Sequence, residues 1–105
     1  MAKTRTNELL NALKSPQRRA ILREVEKSRD GISPSELAVK VKEPLSNAAY
    51  NCRVLRDCGA IELVDQQQVR GAIKNLYRFA LADSWAIAML RHDKGSDENA
   101  PDLDP

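Results

Sequence analysis

Ser46, Asn47, Tyr50, Arg53 and Asp57 fall on one side of a helix if the segment from Leu45 to Cys58 is helical, because successive residues turn by about 100°. Serine and asparagine can donate and accept hydrogen bonds at base edges, and an arginine reaches a phosphate. A tyrosine exposed near the start of a helix is wasted unless something packs on it. Asn51 lies at the edge of this face and joins the candidate contacts with double-stranded nucleic acid. A second basic group, Arg70 beside Gly71, stands at the tip of an expected hairpin, with Lys74 on the return strand. Arginine suits a narrow minor groove, where the negative potential is strong.

Further cations and hydroxyls surround these two groups. Arg18 and Arg19 sit in the first turns of a helix, where positive charge opposes the helix dipole. They are explained either by a nearby phosphate or by pairing with Glu8 or Glu24. Ser33 and Ser35 open another helix and could donate to phosphate; Lys40 and Lys42 lie at its far end.

Enzyme chemistry finds no comparable constellation. The sole histidine, His92, borders the C-terminal tail. No glycine-rich loop follows a strand, and no Cys/His cluster has metal-ligand spacing. Neither a metal site nor a cofactor is expected. Cys52 and Cys58 are six residues apart, about 9 Å of helical rise at roughly 1.5 Å per residue, which is too far for a disulfide. They read as buried thiols in a reducing compartment.

The elements that must position these residues are marked by helix and turn signals. Asn7 to Leu13 carries Leu9, Leu10 and Leu13 on a short helix, after a flexible stretch over 1–6. Ser15-Pro16 caps and opens a second helix bearing Ala20, Ile21, Leu22 and Val25, which ends near Ser28. Ser33-Pro34-Ser35-Glu36 is a capping box for a third, with Leu37, Ala38 and Val41 inward. Pro44 ends it, since the residue before a proline leaves the helical region. The helix from Leu45 to Cys58 has a core stripe of Leu45, Ala48, Cys52 and Leu55, with Gly59 as left-handed cap and Val54 covered by the hairpin. Strands over Ala60–Asp65 and Ala72–Phe79 follow, joined by the polar connection Gln66–Gly71. Ala82–Arg91 is a last helix, apolar nearly all round, which must be covered on more than one side.

That order makes a mainly α fold of about five helices with a two-stranded β-hairpin wing: a winged helix-turn-helix over 7–91. An acidic tail over 92–105 is expected to be disordered. The chain is 42% hydrophobic but only 4% aromatic, which suits packed aliphatic helices. Residues 1–92 carry 16 Lys and Arg against 10 Asp and Glu, a net +6, while 93–105 carry 1 against 5, a net −4. A basic body suits a polyanion. No apolar run approaches the roughly 20 residues of a membrane span, and no secretory signal opens the chain, so a cytoplasmic location is expected.

Three segments resemble ArsR-type winged-helix repressors: Leu13–Leu22 their opening, Ala49–Ile61 their recognition helix running into the wing, and Val69–Arg78 the wing itself. The resemblance spans roughly residues 8–90. It implies a homodimer built from the first and last helices, through Leu9, Leu10, Leu13, Trp85, Ile87, Met89 and Leu90, that represses transcription at an imperfect palindrome. Such proteins often have histidine where this chain has Asn51. Their metal sensors carry a cysteine pair before the turn, or ligands on the last helix, and this chain has neither. The expected DNA contacts are Arg18, Ser35, Lys42, Ser46, Asn47, Tyr50, Asn51, Arg53, Arg70 and Lys74. Two alternatives are a winged helix used for protein contact and a thiol-based redox switch acting through Cys52 or Cys58.

Overall fold

The computed structural model describes residues 2–91. Four helices, α1 (Ala2–Leu13), α2 (Pro16–Lys27), α3 (Pro34–Val41) and α4 (Leu45–Asp57), precede an antiparallel hairpin of β1 (Ile61–Val69) and β2 (Ala72–Phe79). A fifth helix, α5, covers residues 84–91. The winged helix-turn-helix architecture is as expected. The acidic tail and His92 lie outside the described residues.

Helix α1 starts five residues earlier than expected, at Ala2 instead of Asn7. No Gly or Pro interrupts residues 2–13. Once Leu9, Ala12 and Leu13 have seated a turn in the core, each further residue adds to the helix at little cost. The stretch over 1–6 is therefore helical from Ala2 onward.

The caps form as their sequences dictate. Ser15 Oγ accepts from the Arg18 amide at 3.2 Å, and Pro16 follows at the first helical position. At α3 the Glu36 amide donates to Ser33 Oγ at 3.3 Å, and the Ser33 amide donates to Glu36 Oε1 at 3.0 Å. Helix α4 ends in a paired closure around Gly59, at φ +84. The Gly59 amide donates to Arg56 O at 3.0 Å, and the Ala60 amide to Leu55 O at 2.8 Å. The same closure ends α3, but there Lys42 takes the left-handed position at φ 59, ψ 46. Lys42 and Glu43 donate back to Val39 O and Ala38 O.

The first strand extends beyond the expected Asp65. The ladder runs to Val69 opposite Ala72, with a register irregularity between Leu63 and Asp65. The connection is only Arg70-Gly71, both at positive φ (50° and 82°). This is the backbone pattern of a primed two-residue hairpin turn, whose twist matches the strands. Gln66, Gln67 and Gln68 thus belong to a strand and not to a loop, pairing with Asn75, Lys74 and Ile73. The base of the wing is anchored by Ile32, which exchanges backbone bonds of 3.0 and 2.9 Å with Tyr77.

One aliphatic core joins all five helices to the base of the wing. Leu9, Leu13, Ile21, Leu22, Val25, Leu37, Cys52, Leu55, Ile61, Tyr77, Ala86 and Leu90 belong to it. Helix α5 is further held by Arg91, which donates to both carboxylate oxygens of Glu26 on α2, at 2.8 and 3.4 Å.

Candidate nucleic-acid interface

Helix α4 is oriented by Ala48, Asn51, Cys52 and Leu55, all buried. About 180° round from them, at about 100° per residue, stand Ser46, Tyr50, Arg53 and Asp57, all exposed. Tyr50 is 55% exposed, so more than half of its surface is open to solvent. Asn47 is also exposed but lies toward the side of the helix, where its amide donates to Glu43 Oε1 at 3.3 Å. The expected face is therefore present, with Asn47 at its margin.

Asn51 is a correction. It is only 5% exposed, and its Oδ1 accepts from Arg18 Nη1 at 3.1 Å. Arg18 also donates through Nε to Ala12 O at 2.9 Å, and Arg19 donates to Leu13 O. The two arginines cover the final carbonyls of α1, the negative end of its dipole. Neither reading of this pair anticipated that partner. Arg18 and Asn51 are thus bonded to each other inside the fold, Asn51 buried and Arg18 half-buried.

Helix α4 has an open space on either side. Toward α1 lies a cleft of about 370 Å3 lined by Glu8, Asn11, Arg18, Tyr50, Val54 and Asp57 among others. Val54 therefore faces α1 instead of being covered by the hairpin. Toward the wing lies a groove of about 580 Å3, bordered by Ser35, Leu45, Ala49, Val69, Ile73 and Lys74 among others. This groove brings the start of α3, the first turn of α4 and the far half of the wing onto one surface. Leu45, expected in the core, is 54% exposed here, where the groove toward the wing opens beside the first residue of α4.

The remaining candidates sit around that surface. Ser35 is exposed, its hydroxyl 3.0 Å from Ser33 Oγ. Ser33 is 1% exposed and engaged with Glu36, so it cannot serve a phosphate. Lys74 reaches from the wing to Glu36 Oε2 at 3.4 Å. The Ser33 amide and hydroxyl, with the nearby Lys74 ammonium, hold the Glu36 carboxyl below its ordinary value of 4.5. Lys42 and Arg70 are both exposed, and they are the two non-glycine residues at positive φ among the described residues.

The thiols offer little chemistry. Burial pushes the Cys52 thiol up to about 12, so it carries almost no thiolate near neutral pH. Cys58 is buried too, its Sγ bonded to Leu55 O at 3.4 Å. Among the described residues no cluster of three or more His, Cys, Asp or Glu side chains could hold a metal ion, and no helix is long and apolar enough to cross a membrane.

The expected dimer residues separate into two groups. Leu9 and Leu13 are fully buried and Leu90 is 1% exposed, all within the core of one chain, which corrects their placement at an interface. Ile87 and Met89 pack partly against that core. Leu10 and Trp85 remain 39% and 37% exposed.

The fold and surface define a winged helix-turn-helix, and comparison with known proteins agrees. Residues 13–64 match the family described as Helix-turn-helix domain. No curated protein matched the sequence. Among solved structures, reduced HlyU from Vibrio cholerae superposes with a TM-score of 0.63 at 19% identity, over 86% of this chain and 85% of that one. A homodimeric winged helix-turn-helix DNA-binding domain from Mycobacterium bovis, a possible ArsR-family regulator, gives 0.65 at 15% identity, over 93% and 82%. A predicted DNA-binding transcriptional regulator from E. coli gives 0.61 at 24% identity, over 90% of each. Residues 13–64 thus match a helix-turn-helix domain, and the chain has the fold of winged-helix transcriptional regulators, ArsR-type ones among them.

Proposed function

We propose that the protein is a homodimeric, sequence-specific repressor that binds double-stranded DNA in the cytoplasm. Helix α4 enters the major groove and the wing follows the adjacent backbone or minor groove. The observation that carries this reading is the exposed face of Ser46, Tyr50 and Arg53 on α4, beside which Leu45 and Ala49 of the same helix border one groove with the α3 N-terminus and the wing. Ser46 and Asn47 read base edges; Tyr50 packs on sugar or base; Arg53, Lys42, Lys74 and Arg70 meet phosphates or the minor groove, with Ser35 donating at a helix N-terminus.

Dimerisation is supported by the exposed Leu10 and Trp85 on α1 and α5, and by the homodimeric relative from M. bovis. A twofold dimer pairs naturally with a palindromic operator. Repression then needs only occupancy of that operator. Neither a cofactor nor a metal enters this account.

The test is the stoichiometry of a complex with a duplex recovered by selection from random sequence. Two chains on one palindromic duplex support the reading. A single chain on an asymmetric site would remove the dimer from it. Failure to select any duplex, together with saturable capture of a protein partner, would replace it with protein recognition.

A further inference from the structure

Leu45 follows the helical spacing of Ala48, Cys52 and Leu55, yet those three are buried and Leu45 is 54% exposed. It is the first residue of α4, directly before Ser46, and stands on the wing side of the outward face. Across the groove, Val69 and Ile73 are 44% and 65% exposed, so the floor between recognition helix and wing is lined with methyl groups. Its border is polar, with Ser35, Asn75 and Lys74, whose ammonium lies 3.4 Å from Glu36 Oε2. The leading turn of a helix is the part that reaches deepest into a major groove. There the edge of thymine differs from every other base edge in presenting a C5-methyl group, which leaves an apolar spot between phosphate rims. An apolar side chain inside a polar border that carries a lysine matches that pattern in polarity.

We propose that Leu45 is a specificity-determining residue, reading a thymine in each half-site through its C5-methyl group, with Ala49 beside it. The proposal rests on the DNA-binding reading above and adds to it which base is recognised and by which side chain. Recognition is by van der Waals contact and exclusion of water, so it survives high salt, whereas phosphate contacts weaken.

The test begins with duplexes selected from a random-sequence library by the wild-type protein. Each thymine of the selected site is then replaced in turn by deoxyuridine, which keeps base pairing and removes only the methyl. The expected result is one position per half-site where deoxyuridine weakens wild-type binding about fourfold, the factor for burying one methyl-sized group, ~0.8 kcal/mol. At that position Leu45→Ala shows no further loss with deoxyuridine, whereas Leu45→Met, which keeps an apolar contact, still does. Melting temperatures of both variants near the wild-type value confirm an intact fold. Equal deoxyuridine sensitivity in wild type and Leu45→Ala at every position would overturn the proposal while leaving the DNA-binding reading intact. Selection of no duplex by the wild type would overturn that reading, and this proposal with it.

Discussion

The Arg18 guanidinium donates to Asn51 Oδ1 at 3.1 Å and to Ala12 O at 2.9 Å, so one side chain locks the recognition helix to the end of α1. Two polar residues that resemble nucleic-acid contacts in sequence instead fix the angle at which α4 is presented. Removing Arg18 leaves the buried Asn51 Oδ1 without its donor, and removing Asn51 takes an acceptor from the half-buried Arg18 guanidinium. Arg18→Ala and Asn51→Ala should each lower stability by about 1–3 kcal/mol, and the double variant should lose less than the sum. Chemical denaturation of the four proteins checks this. Asn51→Ala should retain DNA affinity well below its melting temperature. An unchanged stability with lost affinity would make Asn51 a base reader.

Arg70 occupies the first position of the wing turn at φ +50, where asparagine is favoured and a longer side chain is strained. Arg70→Asn should therefore keep or raise stability by up to ~1 kcal/mol while removing the charge. DNA binding should weaken at all sequences, and the salt slope should fall by about one ion. A drop in melting temperature would show that Arg70 serves the fold instead.

Lys42 has the same backbone cost at the corner between α3 and α4, with φ 59. Lys42→Gly should stabilise the protein by roughly 1 kcal/mol and lower DNA affinity. Left-handed strain at these two exposed cations, one at each end of the proposed interface, fits retention for charge and not for folding. Higher stability with unchanged affinity would remove Lys42 from the interface.

Glu36 closes the α3 capping box, with its carboxyl held below 4.5 first by the Ser33 amide and then by the Ser33 hydroxyl and Lys74. A lowered carboxylate contributes stability that is fully present above its ordinary value and is lost as pH falls through the folded one. Thermal melts taken from neutral pH into the acid range should show this loss, and Glu36→Gln should flatten the acid limb. The same limb in both proteins would mean the carboxylate plays no part.

Trp85 is 37% exposed on α5 although Ala86 and Leu90 on the same helix are buried. Trp85→Ser should lower the melting temperature of dilute protein only modestly, for the part of the ring its own chain covers, and shift sedimentation toward the monomer well below the melt. A wild-type protein that is monomeric at all concentrations would contradict the dimer.

Local signals carried most of the architecture. Ser15-Pro16, the Ser33–Glu36 box and Gly59 act over three or four residues, so their helix ends are readable from sequence. What was hidden depends on distant packing. Leu45 shares the spacing of Cys52, and only the open groove beside the start of α4 separates exposed from buried. Leu9 and Leu10 are neighbours in sequence, yet the tertiary fold seals one and leaves the other outside. The role of Arg18 had a readable signal, a basic pair directly after the end of α1, whose free carbonyls require donors. The β1 extension is not legible in the sequence, because three glutamines suggest a loop while backbone pairing across the wing is indifferent to them.

The most direct test of the account is binding to mixed genomic DNA fragments at two salt concentrations, with sequencing of what is retained. The account predicts enrichment of palindromic sites and an affinity that falls steeply as salt rises, as several phosphate contacts require. No retention at low salt, or retention insensitive to salt, would contradict it.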